Sequence, residues 1–447
     1  MTAEIGVLNK VGVALAADSA VTIGNGQKIY NSANKLFALS KYYPVGLMIY
    51  GNASFLGIPW ETLIKIYRQK LGEKNFPKLH DFSNHLIDFL NNGKYEELNN
   101  LQEQEGFALH ICDLKLNQIR DYIIHTVKDE VNGNPDISRT EEEIEALFTE
   151  ITENKINEEL DNYNQKSFIE GFNEEDIIAL ANQNRETLYK KIDDKYEQLP
   201  LKKSLYERLN EICAHRLVKE FTDYKSGIVV AGFGENEIYP TLLSYSIEGK
   251  VNGKLKLQLE DVTEINSDCQ AAITPFAQSE MVHTFMRGID PQFRELSNGY
   301  LEQIFEQLPK MLADKIKGIS DIVDESLYNS LLGNLNSICD KLLENYNESL
   351  THYEMENHVH PIIAIVESLP KDELAEMAES LVSLTSFKRR VSNSLETVGG
   401  PVDVAVITKG DGFIWIKRKH YFNSDLNQQF FQKYLRSEQN DTYPIEK

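Results

Sequence analysis

Several things are scarce in this 447-residue chain, and each scarcity removes a class of function. Its four cysteines, Cys112, Cys213, Cys269 and Cys339, lie far apart with no C-x-x-C pair, so neither a zinc ribbon nor a dithiol redox motif is available, and all four read as reduced and mostly buried. No stretch approaches 18 uninterrupted apolar residues, and the first twenty residues, broken by Glu4, Lys10 and Asp18, do not make a signal peptide. A cytoplasmic protein without a membrane span is expected. Positive charge is short as well: 46 Lys and Arg stand against 69 Asp and Glu, for a net charge of −23. Phosphate backbones and anionic lipid surfaces are repelled by such a chain, which argues against nucleic acid and membrane as partners. No G-x-S-x-G elbow and no P-loop occurs, so a serine hydrolase of that type or an NTPase has no support. Gly232-Phe233-Gly234 imitates the start of a dinucleotide loop but lacks the third glycine and leads into a strand. His352, His358 and His360 cluster without a third ligand at fixed spacing, and read as an exposed histidine group rather than a metal site. No metal and no cofactor are expected.

What is present is the make-up of a globular protein, 41% hydrophobic and 26% charged, long enough for two or three folding units or one domain with large insertions. Residues 3–17 form two short runs of Val, Ile, Leu and Ala joined at Asn9-Lys10, which predicts a tight hairpin of buried strands. A second strand pair is expected at Lys35–Leu39 and Val45–Tyr50, followed by helices at Phe55–Leu71 and His80–Leu90. The stretch Glu96–Tyr224 then carries 30 acidic and 15 basic residues, so most of the chain's net charge sits there. It reads as amphipathic helices with one short apolar patch, Gly106–Asp113, at strand length. Strands return at Gly227–Gly232, Glu237–Ile247 and Leu255–Thr263, and a helix is expected at Ser279–Arg287. A second helical stretch covers about 292–357, and a helix at Lys371–Arg389, strands at Val402–Thr408 and Phe413–Lys417, and a helix near Leu426–Leu435 close the chain. Strands, two helices, strands, two helices and strands favour a sheet sandwich with helices on its outer faces.

Thr2 is the most informative residue for chemistry. Initiator methionine is generally removed before a small residue, leaving a hydroxyl and a free α-amine on one residue. An α-amine with a pKa near 7.7–8.0 is partly neutral at working pH and can take the proton from the threonine oxygen, directly or through water. A lysine close by would lower that pKa by charge repulsion and hold the developing charge on the attacking oxygen.

The opening T-A-E-I-G-V-L-N-K-V-G-V-A-L-A-A-D-S-A-V-T-I-G, then N-K-L-F-A-L and G-L-M-I-Y-G-N-A, resembles the proteasome β-subunit family of N-terminal-nucleophile (Ntn) hydrolases and its HslV-like bacterial relatives. Further similar segments are Gly227–Gly249 and Leu369–Lys417, so the resemblance covers about half the chain, roughly 1–94, 226–290 and 360–436. It implies Thr2 as nucleophile, Asp18 as its acidic partner, Lys35 as the lysine that tunes the amine and the Gly51 N–H as oxyanion donor, with Ile49 and Val21 lining the substrate pocket. Asp18 lies 16 residues after Thr2, as the family pattern requires; Lys35 lies one residue further than usual, which a single insertion near Gly24–Gln27 accounts for.

Two segments depart from the family pattern. Ile273-Thr274-Pro275-Phe276-Ala277 stands where G-S-G-S is usual, and Ser394-Leu395-Glu396-Thr397-Val398-Gly399-Gly400 stands where R-D-x-x-S-G-G is usual, with Ser394 and Glu396 as substitutes after a small shift.

The expected fold is thus α+β, a four-layer αββα sandwich of the proteasome-like Ntn type with large α-helical insertions. Core segments are expected at 1–94, 226–290 and 360–447, an acidic helical insertion at 95–225 and a second helical insertion at 291–359. The function that follows is a threonine-type peptidase acting on a peptide or protein substrate and assembling as a homo-oligomer. An inactive proteasome-like scaffold that binds partners through its helices, or a small-molecule amidase on the same fold, are the alternatives.

Overall fold

The computed structural model describes residues 2–23, 28–92, 95–133, 139–197, 199–319, 324–392, 398–423, 425–429 and 432. Among them the chain runs through strands β1 (Ala3–Asn9), β2 (Gly12–Ala17), β3 (Val21–Ile23), β4 (Lys28–Tyr30), β5 (Leu36–Ala38), β6 (Val45–Gly51), β7 (Ser54–Phe55) and β8 (Ile58–Pro59). Helices α1 (Trp60–Leu71), α2 (Leu79–Asn92), α3 (Leu101–Asn132), α4 (Glu141–Gln165), α5 (Glu174–Tyr196) and α6 (Tyr206–Lys219) follow. Four strands come next, β9 (Ser226–Gly232), β10 (Thr241–Val251), β11 (Lys254–Glu264) and β12 (Ala271–Ala277). The last elements are α7 (Glu280–Arg287), α8 (Pro291–Ile319), α9 (Glu325–Glu354), α10 (His360–Ser368), α11 (Lys371–Val391), β13 (Asp403–Thr408) and β14 (Gly412–Lys417). None of these helices is long and apolar enough to cross a membrane.

The chain divides into two compact units, residues 1–36 with 264–447, and residues 37–263. The first holds an antiparallel sheet in the order β12-β1-β2-β13-β14. Its centre is the expected hairpin, with Glu4 opposite Ala17 and Asn9 opposite Gly12. Alternation assigns the side chains to two faces. Ala3, Ile5 and Val7 of β1, Ala14 and Ala16 of β2, and Val404 and Val406 of β13 pack in one cluster with Leu374, Ala378, Leu381 and Val382 of α11. Alanine on β2 keeps that face low, so that α11 comes close over the hairpin. The Asn9 side chain fixes the register of helix and hairpin, donating to Val366 O and Leu369 O at 2.9 Å each while accepting from Val11 N. Every residue of β1 and of β2 is buried, on the face turned away from α11 as well as on the face beneath it.

The second unit's sheet has the order β11-β10-β9-β6-β5. On one face Leu47, Ile49, Ile228, Val230, Leu243 and Tyr245 meet Leu63, Ile64 and Tyr67 of α1 and Phe82, Leu86 and Phe89 of α2. Helices α3 to α6 have a core of their own, drawn from Ile111, Leu116 and Ile119, Phe148 and Ile156, Leu180 and Leu188, and Leu209 and Ile212. Part of the acidity of this region sits at helix N-termini, where carboxylates meet the positive end of the helix dipole. Thr140 with Glu143 and Asn173 with Asp176 form capping boxes, each inside an acidic first turn. A buried ion pair, Lys256 Nζ to Glu248 Oε2 at 2.7 Å with both side chains fully enclosed, ties β11 to β10.

Three expectations are corrected. Gly106–Asp113 is not a strand but part of α3, because Ala108, Ile111 and Cys112 fall at helical spacing and enter the bundle core while Gly106 faces open space. The helix expected from Phe55 begins only at Trp60, since Leu56 and Gly57, both at positive φ, turn the chain between β7 and β8. β10 starts at Thr241 rather than Glu237, whose carboxylate instead accepts from the backbone N–H groups of Gly234 and of Leu79 at the start of α2. The helical stretch expected at about 292–357 is helical as α8 and α9, with a π-helical turn at Met355–Val359 leading on into α10. Half of the helix expected near Leu426–Leu435 falls outside the described residues, and Gly24–Gln27, Ser394 and Glu396 lie outside them altogether.

Candidate active site

Thr2, Asp18 and Lys35 all belong to the first unit, and they meet. Thr2 precedes β1, Asp18 follows β2, and Lys35 stands just before β5. The Lys35 ammonium donates to Asp18 Oδ1 at 2.7 Å and to Thr2 Oγ1 at 3.0 Å. Exposure is 4% for Thr2, 6% for Lys35 and 0% for Asp18, so these contacts form in a site from which water is largely excluded and electrostatic interactions are strong.

Asp18 is held from four directions. Oδ1 also accepts from Ala3 N at 3.1 Å, and Oδ2 accepts from Ala20 N at 3.2 Å and Gly399 N at 3.0 Å. The Ala20 contact is an Asx turn, so the carboxylate makes that turn and the lysine contact together. Ser19 N donates to Gly399 O and Ala33 N donates to Ser19 O, each at 3.1 Å, which joins the three separated chain segments that carry the site. Val21 begins β3 and is half-buried.

Gly51 and Ile49 belong to the second unit, on β6. Ile49 lies on the helix-covered face, in the core with α1 and α2. Gly51 has φ +79°, and a Cβ there would stand 2.4 Å from Lys225 O, so the β6 terminus requires glycine whatever its chemistry. Gly51→Ala is therefore expected to destabilise the chain by about 2 kcal/mol or more, read by chemical denaturation. A change of under half that value would show that this turn rearranges freely.

Two further residues adjoin the site without a motif to announce them. Gln278 N donates to Thr2 O at 3.1 Å, directly after Ala277, which takes a positive φ of 60°. Ile273–Ala277 lies within β12, and Gln278 is the residue beside the nucleophile candidate. The other is Glu4, 1% exposed and two residues along β1 from Thr2, with no hydrogen-bond partner for either carboxyl oxygen among the described residues. Burial pushes its carboxyl up to about 8; the Lys35 charge pulls it down and the Asp18 charge pushes it up. A charged residue at i+2 from Thr2, inside the apolar run Ala3–Leu8, was the available signal.

The histidine cluster does other work. The His358 ring packs where a Gly288 Cβ would be, and His360 Nδ1 lies 3.3 Å from Glu356. No group of three or more His, Cys, Asp or Glu able to hold a metal occurs among the described residues.

No family model matches the chain, and no curated protein matches it. Solved structures similar to it include the Anbu (Gly-1) mutant from Hyphomicrobium sp. strain MC1, at 10% identity and a TM-score of 0.26 with both chains covered in full. The helical assembly of the Anbu complex from Pseudomonas aeruginosa shares 10% identity at a TM-score of 0.30, covering 99% of this chain and 98% of that one. Anbu (ancestral beta-subunit) from Yersinia bercovieri shares 10% identity at a TM-score of 0.25, covering 100% and 99%. At TM-scores this low the likeness carries no weight for function, and the chemistry has to be read from Thr2, Lys35 and Asp18 themselves.

Proposed function

We propose that the chain is a threonine-type peptidase that cleaves peptide bonds through Thr2 once Met1 has been removed. The observation that carries this reading is the 3.0 Å contact from Lys35 Nζ to Thr2 Oγ1, with the same ammonium held at 2.7 Å by Asp18. The freed Thr2 amine takes the hydroxyl proton, and Oγ1 attacks the carbonyl carbon of the substrate. The Lys35 charge lowers the amine's proton affinity and stabilises the alkoxide as it forms. Val21 is assigned to the pocket, and the resemblance assigns the Gly51 N–H to the carbonyl oxygen that becomes an oxyanion. The tetrahedral intermediate collapses, the amine of the leaving peptide takes a proton, and the acyl group stays on Thr2 as an ester. Water then attacks the ester with the Thr2 amine again as base, releasing the second product and restoring the hydroxyl.

The reading brings with it the four-layer αββα arrangement, a homo-oligomeric assembly, a peptide or protein substrate and a cytoplasmic location. In support of layering within each unit, each sheet carries helices on one face. One observation favours an inactive scaffold instead: Ile273–Ala277 of β12 stands where the family pattern has G-S-G-S, so the serine usual beside the nucleophile is missing.

Intact-mass measurement and labelling with a β-lactone decide between them. A peptidase is expected to have lost Met1 and to gain one covalent adduct on Thr2, absent in Thr2→Ala. A retained Met1, or an adduct that survives Thr2→Ala, would overturn the assignment.

A further inference from the structure

The mechanism leaves one buried ionisable group beside the nucleophile unused. Because Ala3, Ile5 and Val7 pack toward α11, Thr2 and Glu4 share the opposite face of β1. On that face the cross-strand neighbours of Glu4 are Ala17 of β2 and Phe276 of β12, and neither side chain can hydrogen-bond to a carboxyl group. The charged groups that act on it are Lys35 and Asp18; after Met1 removal the Thr2 amine joins them, while Gln278 at the end of β12 is neutral. One ammonium therefore stands among two carboxyl groups with unequal surroundings. Asp18 has four donors, and Glu4 has none among the described residues.

We propose that Glu4 is a positioning residue for Lys35: as a neutral acid it leaves the ammonium on Thr2 Oγ1 and Asp18, and as a carboxylate it draws the ammonium away from Thr2. This rests on the reading of Thr2 as the nucleophile. Ionised Glu4 acts in a second way in the same direction, because added negative charge raises the proton affinity of the Thr2 amine and keeps the base protonated. Both effects slow attack. Burial in an apolar strand face keeps the acid neutral at neutral pH and places its ionisation in the mildly alkaline range. No covalent step is added: the proton released by Glu4 goes to solvent, and the change at the site is electrostatic.

The experiment is the second-order rate of Thr2 labelling by a β-lactone, followed from about pH 6 to about pH 10 in the native chain, Glu4→Gln and Thr2→Ala. The native rate is expected to rise, pass a maximum near neutrality and fall about tenfold by the alkaline end, whereas Glu4→Gln rises to a plateau and ends about tenfold faster than native. Superimposable profiles overturn the proposal, and so does a Glu4→Gln rate lower by one constant factor at every pH, which is what a purely structural role predicts. Labelling that survives Thr2→Ala overturns the nucleophile assignment itself, while labelling abolished there with unchanged profiles elsewhere removes only the Glu4 role. If Glu4→Gln folds poorly, a carboxyl-carbon NMR titration of Glu4 in the native chain takes its place. A midpoint in the ordinary carboxylate range then overturns the proposal, and one in the mildly alkaline range supports it.

Discussion

Lys35→Ala is expected to slow acylation of Thr2 by about a thousandfold or more, with the reduced rate visible at every substrate concentration. Two contributions disappear together. The alkoxide on Oγ1 loses the cation 3.0 Å away, in a site where low exposure leaves little water to substitute for it. The Thr2 amine loses the neighbouring positive charge that keeps it a free base near neutrality. Folding is affected less than the removal of one partner of a buried pair usually implies, about 3 kcal/mol or more. Asp18 retains backbone donors from Ala3, Ala20 and Gly399 after the lysine is gone. Unfolding curves recorded beside the labelling rates separate the two effects, and Lys35→Met repeats the test with most of the side-chain volume kept. Lys35→Arg is expected to rescue little, because a planar guanidinium cannot bring one compact charge onto both Asp18 Oδ1 and Thr2 Oγ1. A folded Lys35→Ala chain that labels within tenfold of the native rate would remove Lys35 from the mechanism.

The parts of this site legible in the sequence are those that the resemblance of the opening segment implies, and the hairpin gives that pattern a physical basis. A hairpin of buried strands brings its two ends together, so Thr2 before β1 and Asp18 after β2 had to be neighbours, and the observed pairing of Glu4 with Ala17 places them so. Lys35 reaches the pair despite its extra residue of spacing, because the chain returns through the contact between Ala33 N and Ser19 O. What escaped was set by packing. In the sequence Glu4 is only a break in an apolar run, and its importance arises from enclosure by neighbours that offer no hydrogen bond. Gln278 adjoins Thr2 because β12 pairs with β1 across some 270 residues of chain, a register that no local pattern encodes. Gly106–Asp113 shows the same limit in the fold: a short apolar run has the same composition in a strand and in a buried helix face, and only the bundle around it decides.

Stability should show the state of Glu4 independently of any reaction. An ordinary glutamate, as in the unfolded chain, loses its proton near 4.5, while the buried group holds it to about 8. Below 4.5 both states are protonated and the group makes no difference between them. Between 4.5 and 8 only the native state holds the proton, so the unfolded state gains relative to it as pH rises, at about 1.36 kcal/mol per pH unit. Across the whole window that amounts to a loss of about 5 kcal/mol of native stability from this one group, complete once the pH has passed the folded value. Glu4→Gln removes the titration while keeping the side chain's shape. Its stability measured against the native chain should therefore climb between about pH 5 and about pH 8, by about 4 kcal/mol in urea denaturation. The other titrating groups are common to both chains and cancel in the comparison. Parallel stability curves across that range would mean that Glu4 is already ionised in the folded protein, balanced by Lys35, and the site would then carry two carboxylates on one ammonium at neutral pH.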